Sequence, residues 1–171
     1  MDWRLRRAGE GDAARLSLVA GATFLEAFAG VLDGDDIVAH VRENSGPPAF
    51  LRYLAMGAVA TLAEAVEGGA PLGYTLLTQP DLPVEPRDGD IELKRIYALF
   101  PTHGTGLGPA LMAQAVEDAR AAGHRRMLLG VYGGNRRAQR FYEKQGFQVV
   151  GTRQFRVGAT LHDDLIFARE C

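Results

Sequence analysis

Apolar residues recur at helical spacing from Ala13 to Phe28, at Leu16, Val19, Ala20, Phe24, Ala27 and Phe28, which predicts an amphipathic helix. Before it, Trp3 and Leu5 alternate with arginines like a short half-buried strand, and Gly9-Glu10-Gly11-Asp12 reads as a turn with Asp12 placed to cap the helix. Asp33 to Val41 predicts a second helix, with Asp33, Asp35 and Asp36 near its start, where the helix dipole favours acids. Pro47-Pro48 opens a third helical piece carrying Phe50, Leu51 and Leu54. Val59 to Val66 and Leu72 to Thr78 are strand-like, with Gly68-Gly69 between them as a hairpin turn. Gln79 to Gly89, holding Pro80, Pro83 and Pro86, is a surface loop, and another strand follows from Asp90 to Phe100. A helix from Pro109 to Ala122 turns Leu111, Ala115 and Val116 inward and stops at Gly123. Arg126 to Val131 is a strand broken by Gly133-Gly134. Asn135 then caps a helix from Arg136 to Gln145, with Ala138, Phe141 and Tyr142 on one face. Phe147 to Phe155 and Leu161 to Phe167 alternate as two last strands around Gly158. No repeat or linker interrupts this pattern, so one domain over residues 1–171 is expected.

The alternation breaks in the strand from Asp90. Leu93 and Ile96 are both apolar, although Glu92 and Lys94 look polar. A β-bulge between Leu93 and Ile96 would restore the phase. On periodicity alone, a strand buried on both faces accounts for it equally well.

The run His103-Gly104-Thr105-Gly106-Leu107-Gly108 follows this strand and opens a helix, with Pro109 at what reads as the first helical position. Alternate glycines remove the Cβ atoms that would hold a ligand off the backbone, and a helix N-terminus presents free N–H groups. That combination suits a phosphate or pyrophosphate; a purely structural turn is the competing reading. A Walker A loop is excluded, because Leu107-Gly108-Pro109 stands where Gly-Lys-Ser/Thr is needed. A dinucleotide fingerprint misses by one residue, and its strand would not carry Glu92, Lys94 and Arg95.

Composition narrows the field further. The chain has 171 residues, 47% of them hydrophobic, enough for an ordinary core. A net charge of −2 and a pI of about 6.1 give no electrostatic case for nucleic acid or an anionic membrane. The single cysteine, Cys171, precludes an internal disulfide and suits a reducing compartment. Arg4, Arg6 and Arg7 are followed by no apolar signal region, and Arg52 interrupts the best apolar run. A cytoplasmic protein is therefore expected. His40, His124 and His162 lack metal-ligand spacing, so no metal is expected.

The segment Ile91-Glu92-Leu93-Lys94-Arg95-Ile96-Tyr97-Ala98 with its glycine loop resembles the central strand and acyl-CoA loop of the GCN5-related N-acetyltransferases. In that family the loop reads Gln/Arg-x-x-Gly-x-Gly/Ala; Gly106 and Gly108 match, and His103 departs from the usual Gln or Arg. Asn135-x-x-Ala138-x-x-Phe141-Tyr142-Glu143-Lys144-x-Gly146-Phe147 resembles the second half of the signature, about thirty residues on and in the right order. Thr23 to Phe28 and the tail from Phe155 through Gly158 to Asp164-Leu165-Ile166 are similar to bacterial spermidine/spermine acetyltransferases.

The resemblance implies an α/β fold: a twisted, mixed, mostly antiparallel sheet with helices on both faces, and a bulge in the strand from Asp90. It implies acetyl-CoA as cosubstrate, lying between the strand ending at Phe100 and the strand at Leu128. Ile96, Tyr97 and Ala98 would bind pantetheine by main chain, and His103, Gly104, Thr105, Gly106, Leu107 and Gly108 would hold the pyrophosphate. Asn135 would cap its helix and also bond the pantetheine, with Ala138 alongside. Tyr142 would be the acid that protonates the departing thiolate, its phenol pKa of about 10 suiting the task. Glu92 is the candidate base, directly or through water; a solvated strand carboxylate is the plainer alternative. A main-chain N–H near Tyr97 or Ala98 would steady the oxyanion. Arg136, Arg137 and Arg140 read first as a solvated helix face and second as contacts for the 3′-phosphate, and Glu26, Asp33, Asp35 and Asp36 read as solvated acids rather than an amine site. The expected acceptor is a small primary amine, a polyamine by resemblance. A protein N-terminus, an amino acid or an aminoglycoside remains an alternative, as does a silent acyl-CoA sensor. A homodimer is left open.

Overall fold

A computed structural model describes residues 2–171. Seven strands form one sheet: β1 (Trp3–Ala8), β2 (Val59–Ala65), β3 (Pro71–Thr78), β4 (Asp90–Ala98), β5 (Arg126–Tyr132), β6 (Gln148–Val157) and β7 (Thr160–Glu170). Their spatial order is β1-β2-β3-β4-β5-β7-β6, antiparallel except for the β4–β5 pair. The mixed, mostly antiparallel sheet anticipated from the sequence is thus present.

Helices cover both faces. On one side α1 (Ala13–Phe28) and α3 (Pro47–Ala55) bury Leu16, Val19, Ala20 and Phe50 against Ala60, Leu62, Tyr74 and Leu76. The intervening α2 (Gly34–Asn44) packs Ile37 with Phe24 and Val157, under the β6–β7 hairpin. On the other side α4 (Leu107–Ala121) and α5 (Arg136–Lys144) bury Met112, Ala115, Val116 and Tyr142 against Leu77, Ile91, Leu93, Met127, Leu129 and Phe167. Burying such side chains is the main stabilising term, at about 1.5–3 kcal/mol for each large one.

Several boundaries differ from the sequence reading, each for a local reason. Asp12 stands at the α1 N-cap position without capping by its side chain. Its carboxylate instead takes Arg6 at 2.6 and 2.8 Å and the Gly9 N–H at 3.0 Å. Ala27 is exposed, because it lies in the last turn of α1, beyond the helix's last buried residues, Thr23 and Phe24. β4 stops at Ala98, where Pro101 and the bonds of Thr102 to the Leu99 carbonyl wind the chain into a 3-10 turn over Phe100–Thr102. α4 starts at Leu107, two residues before Pro109, because Gly106 adopts φ 88° and turns the chain directly into the helix. Pro109 is still tolerated: the first bond into the helix is from Ala110 N to Gly106 O, so a donor at Pro109 is not required.

The acids of α2 acquire definite tasks. Asp33 caps the helix by accepting from Asp35 N at 2.9 Å. Asp36 accepts from Ala159 N and Thr160 Oγ1, both at 3.1 Å, and so pins the β6–β7 hairpin tip to α2. Glu26 accepts from Phe100 N at 2.9 Å, joining the end of α1 to the end of β4.

Candidate active site

β4 and β5 pair only at Asp90–Arg126, Ile91–Met127 and Glu92–Leu128, although β4 continues to Ala98 and β5 to Tyr132. The two strands therefore part beyond Glu92, leaving a cleft through the middle of the sheet. A bulge lies at the parting point. Leu76 pairs with Arg95 and Leu77 with Leu93, so Lys94 is the extra residue. The break in alternation between Leu93 and Ile96 has this physical cause: Ile91, Leu93 and Ile96 all reach the α4–α5 face, and Arg95 and Tyr97 the α1–α3 face.

Past the bulge, β4 has an unpaired edge. Leu99 N donates to Leu72 O on β3, so strand alternation turns the N–H groups of Ile96 and Ala98 towards the cleft, and that of Tyr97 towards β3. Gly73 permits the close β3–β4 approach; a Cβ there would lie 2.7 Å from the Tyr97 carbonyl oxygen.

The glycine loop sits at the outer end of this edge. Gly104 and Gly106 take φ 83° and 88°, and a Cβ on either would meet only open space. The N–H groups of Gly104, Gly106, Leu107 and Gly108 have no acceptor among the described residues. Thr105 turns its hydroxyl back to Thr102 O at 2.7 Å, and Leu107 is fully buried, so these two side chains build the loop rather than line it. A concave set of donors at a helix N-terminus is suited to a diphosphate.

His103 closes the loop against the strand. Its Nε2 lies 3.0 Å from the Ala98 carbonyl, which can only accept, so Nε2 carries the proton. Nδ1 then accepts from Arg137 Nη2 at 2.9 Å. The Arg137 guanidinium also lies 5.0 Å above the Phe100 ring. Arg137 is thus drawn across to the loop rather than left on a solvated helix face. Helical arginines look alike in sequence, and only the long-range contact singles this one out.

Asn135 caps α5 by accepting from Ala138 N at 3.1 Å, as its position suggested. Gly133-Gly134 bends the chain into that cap; a Cβ at Gly133 would lie 2.7 Å from the Asp163 carbonyl oxygen. The cap aims α5 so that Tyr142 packs among Phe141, Phe147 and Phe167, with ring centroids 5.5–6.0 Å apart. Its hydroxyl makes no hydrogen bond among the described residues, and the residue as a whole is 9% exposed. Burial, reinforced by the nearby Tyr97, holds this phenol above its ordinary pKa of about 10, so it is protonated at neutral pH, as any phenol is, but is a weaker acid than the sequence reading assumed.

Glu92 lies at the root of the cleft and is only 2% exposed. It is no solvated carboxylate. Oε2 accepts from Asp81 N at 2.8 Å, fastening the proline-rich loop, while Oε1 faces Lys94 Nζ at 3.8 Å.

Two further groups on the α1–α3 face carry chemistry that the sequence did not flag. Asp164 is buried beside Arg153 at 3.3 Å, and burial raises its pKa despite that cation. Arg95 is largely enclosed by α2 and α3, as detailed below. No group of His, Cys, Asp and Glu able to hold a metal is found among the described residues, and no helix is long and apolar enough to cross a membrane.

Known proteins share this arrangement. The model of the acetyltransferase (GNAT) family matches residues 35–147. An uncharacterized N-acetyltransferase of Mycobacterium tuberculosis (strain ATCC 25618 / H37Rv) is 38% identical over 159 residues, covering 93% of this chain and 97% of that protein. The PaiA N-acetyltransferase of Thermoplasma acidophilum, solved with coenzyme A, superposes with a TM-score of 0.80 at 20% identity, over the full length of both chains. YncA of Salmonella typhimurium, solved with its cofactor acetyl-CoA, superposes with a TM-score of 0.66 at 19% identity, covering 99% of this chain and 94% of that one. With a bulged β4 parting from β5 and a donor loop at the N-terminus of α4, the chain belongs to the acetyltransferase (GNAT) family and is an N-acetyltransferase.

Proposed function

We propose that the protein transfers the acetyl group of acetyl-CoA to a primary amine, with Tyr142 as acid and Glu92 as base. One observation carries the cofactor assignment: four acceptor-free N–H groups, on Gly104, Gly106, Leu107 and Gly108, stand at the end of an unpaired strand edge. The loop would hold the diphosphate and Arg137 a neighbouring phosphate oxygen. Ile96 and Ala98 would meet the pantetheine amides as an added strand does, Tyr97 sharing the peptide units between them. Asn135 and Ala138 flank the same cleft from α5. Acetyl-CoA, when bound, supplies an acetyl thioester already activated toward an amine.

The remaining work is proton transfer. An alkylammonium, with a pKa of about 10, must lose a proton before it can attack. Glu92 takes that proton, directly or through one water, with its carboxylate oriented by Asp81 N and Lys94. A main-chain N–H of the bulged strand donates to the acetyl oxygen as it gains charge. Tyr142 Oη, neutral at pH 7 as any phenol is, gives a proton to the departing sulfur.

The polyamine expectation rests on likeness in Thr23 to Phe28 and in the tail. Phe24, Phe28, Phe155 and Val157 pack together between α1, α2 and the hairpin, a structural task for those same residues. The acceptor is therefore best fixed by assay. Thiol release from acetyl-CoA is measured across spermidine, amino acids, an aminoglycoside and a peptide N-terminus. Turnover with at least one amine is expected, and Tyr142→Phe should lower kcat about 100-fold with little change in acetyl-CoA affinity. Tight coenzyme A binding with no thiol release for any amine would instead identify a sensor.

A further inference from the structure

We propose that the acceptor carries a carboxylate on the same small molecule as its amine, and that Arg95 reads that carboxylate. The inference rests on the acetyl-transfer reading above and names its substrate class. It comes from the charges left free on the acceptor side of the cleft.

That side is bounded by β4 past the bulge, the end of α1, α2, the start of α3 and the β6–β7 hairpin. Most of the acids there are occupied. Glu92 takes Asp81 N, Glu26 takes Phe100 N, Asp36 takes Ala159 N and Thr160 Oγ1, and Asp164 faces Arg153. Glu43 is exposed and beside Arg42. A polyamine needs several unengaged carboxylates for its several ammonium groups; on this wall the acids without a recorded partner, Asp35 and Asp163, lie out in solvent, and no enclosed carboxylate is left free among the described residues.

Among the described residues, the enclosed cation of this wall that lacks an acid is Arg95. It stands one residue past the bulge, at the level where β4 and β5 part. Its Nη2 donates to Asn44 O at 2.6 Å and its Nη1 to Ser45 Oγ at 3.3 Å, and among the described residues no carboxylate pairs with it. The guanidinium lies 5.5 Å from the Phe50 ring and 5.5 Å from the Tyr53 ring. Tyr74 and Tyr97, stacked with centroids 6.1 Å apart, complete an aromatic surround. Carbonyl, hydroxyl and ring faces orient a guanidinium but leave its charge unneutralised, and an enclosed charge without a counter-ion is costly. Donors remain on this planar fork, whose geometry matches a carboxylate. His40, packed on Phe24 at 4.4 Å, is kept neutral by burial and by Arg95 itself, so it supplies neither a counter-charge nor a competing cation.

The test uses matched amines that differ by one carboxylate: lysine against cadaverine, and phenylalanine against phenethylamine, with spermidine alongside. For the wild-type protein, kcat/KM is expected to favour the carboxylated member of each pair at least 10-fold. Arg95→Gln should abolish that preference chiefly through the acceptor KM, leaving the KM for acetyl-CoA unchanged, and Arg95→Lys should restore part of it. A wild-type preference for spermidine or the decarboxylated amines overturns the proposal without any variant, while leaving acetyl transfer intact. So does an Arg95→Gln protein that loses both members of each pair equally, which marks Arg95 as a clamp on the α2–α3 corner. No thiol release with any amine overturns the acetyl-transfer reading itself.

Discussion

Glu92 has an architectural task in the fold and, in the proposed mechanism, a chemical one as well. Its carboxylate holds the proline-rich loop through Asp81 N, and the same group is the base proposed above for the attacking amine. Substitution separates the two roles. Glu92→Gln keeps an acceptor oxygen for the Asp81 N–H but cannot take a proton at neutral pH. It should fold with a melting temperature close to that of the parent and lose about 100-fold or more in kcat. Glu92→Ala should lose activity and also about 1–3 kcal/mol of stability, since the buried Asp81 N–H is left without an acceptor. Equal kcat for the parent and Glu92→Gln, measured by thiol release, would remove Glu92 from the chemistry.

At the level of elements, the proposed grip on the cofactor lies at the joint between β4 and α4. Gly106 is required by conformation, since its φ of 88° is strained for any residue with a Cβ, although the space around it is open. Gly106→Ala should therefore cost about 1 kcal/mol in stability and raise the KM for acetyl-CoA roughly 10-fold, with kcat at saturation nearly kept. A KM unchanged in steady-state assays would show that the loop does not grip the diphosphate. The same joint marks what a sequence discloses. The glycine spacing and the parity break at Leu93 and Ile96 are local signals, and both correspond to real geometry: an open donor loop and a bulge at Lys94. The start of α4 was misplaced because Pro109 is acceptable anywhere in the first turn, so it marks a helix start only loosely. The pairing of Arg137 with His103 and the enclosure of Arg95 by Phe50 and Tyr53 join residues more than thirty positions apart. No periodicity encodes such contacts. The burial of Glu92 was hidden for the same reason: a distant loop covers it, while its neighbour Lys94 makes the strand look polar.

For the whole molecule, the response to acid follows from where charges are held. Arg6 on β1 bonds Asp12 at 2.6 Å and Glu64 on β2 at 2.7 Å, and Glu64 is only 4% exposed in its side chain. The Arg6 hydrogen bond is the largest cause lowering each carboxylate's pKa, that of Asp12 to about 2. Asp90 is held down in the same way by Arg126 across the β4–β5 pair. A depressed folded-state pKa means that the unfolded chain binds protons first as pH falls. The stabilisation is complete above about pH 4, the unfolded carboxylate value, and disappears as pH falls towards 2. His40 adds an earlier loss. Burial lowers its pKa to about 4, so stability drains as pH falls from about 6.5, its unfolded value, to 4. Asp164 works in the opposite direction, because burial raises its pKa and its protonation favours the folded state. A melting curve against pH should therefore fall in two legs, one between about pH 6.5 and 4 and a steeper one below 4. Arg6→Ala isolates the second leg. It leaves Glu64 buried without its main counter-ion, should cost about 2 kcal/mol at pH 7, allowing for the partial exposure of Arg6, and should flatten the decline below pH 4. The leg above pH 4 should survive in that variant, since His40 lies on α2 and touches neither acid. If calorimetry gave the parent and Arg6→Ala the same slope below pH 4, the Arg6 cluster would not be the source of the acid sensitivity.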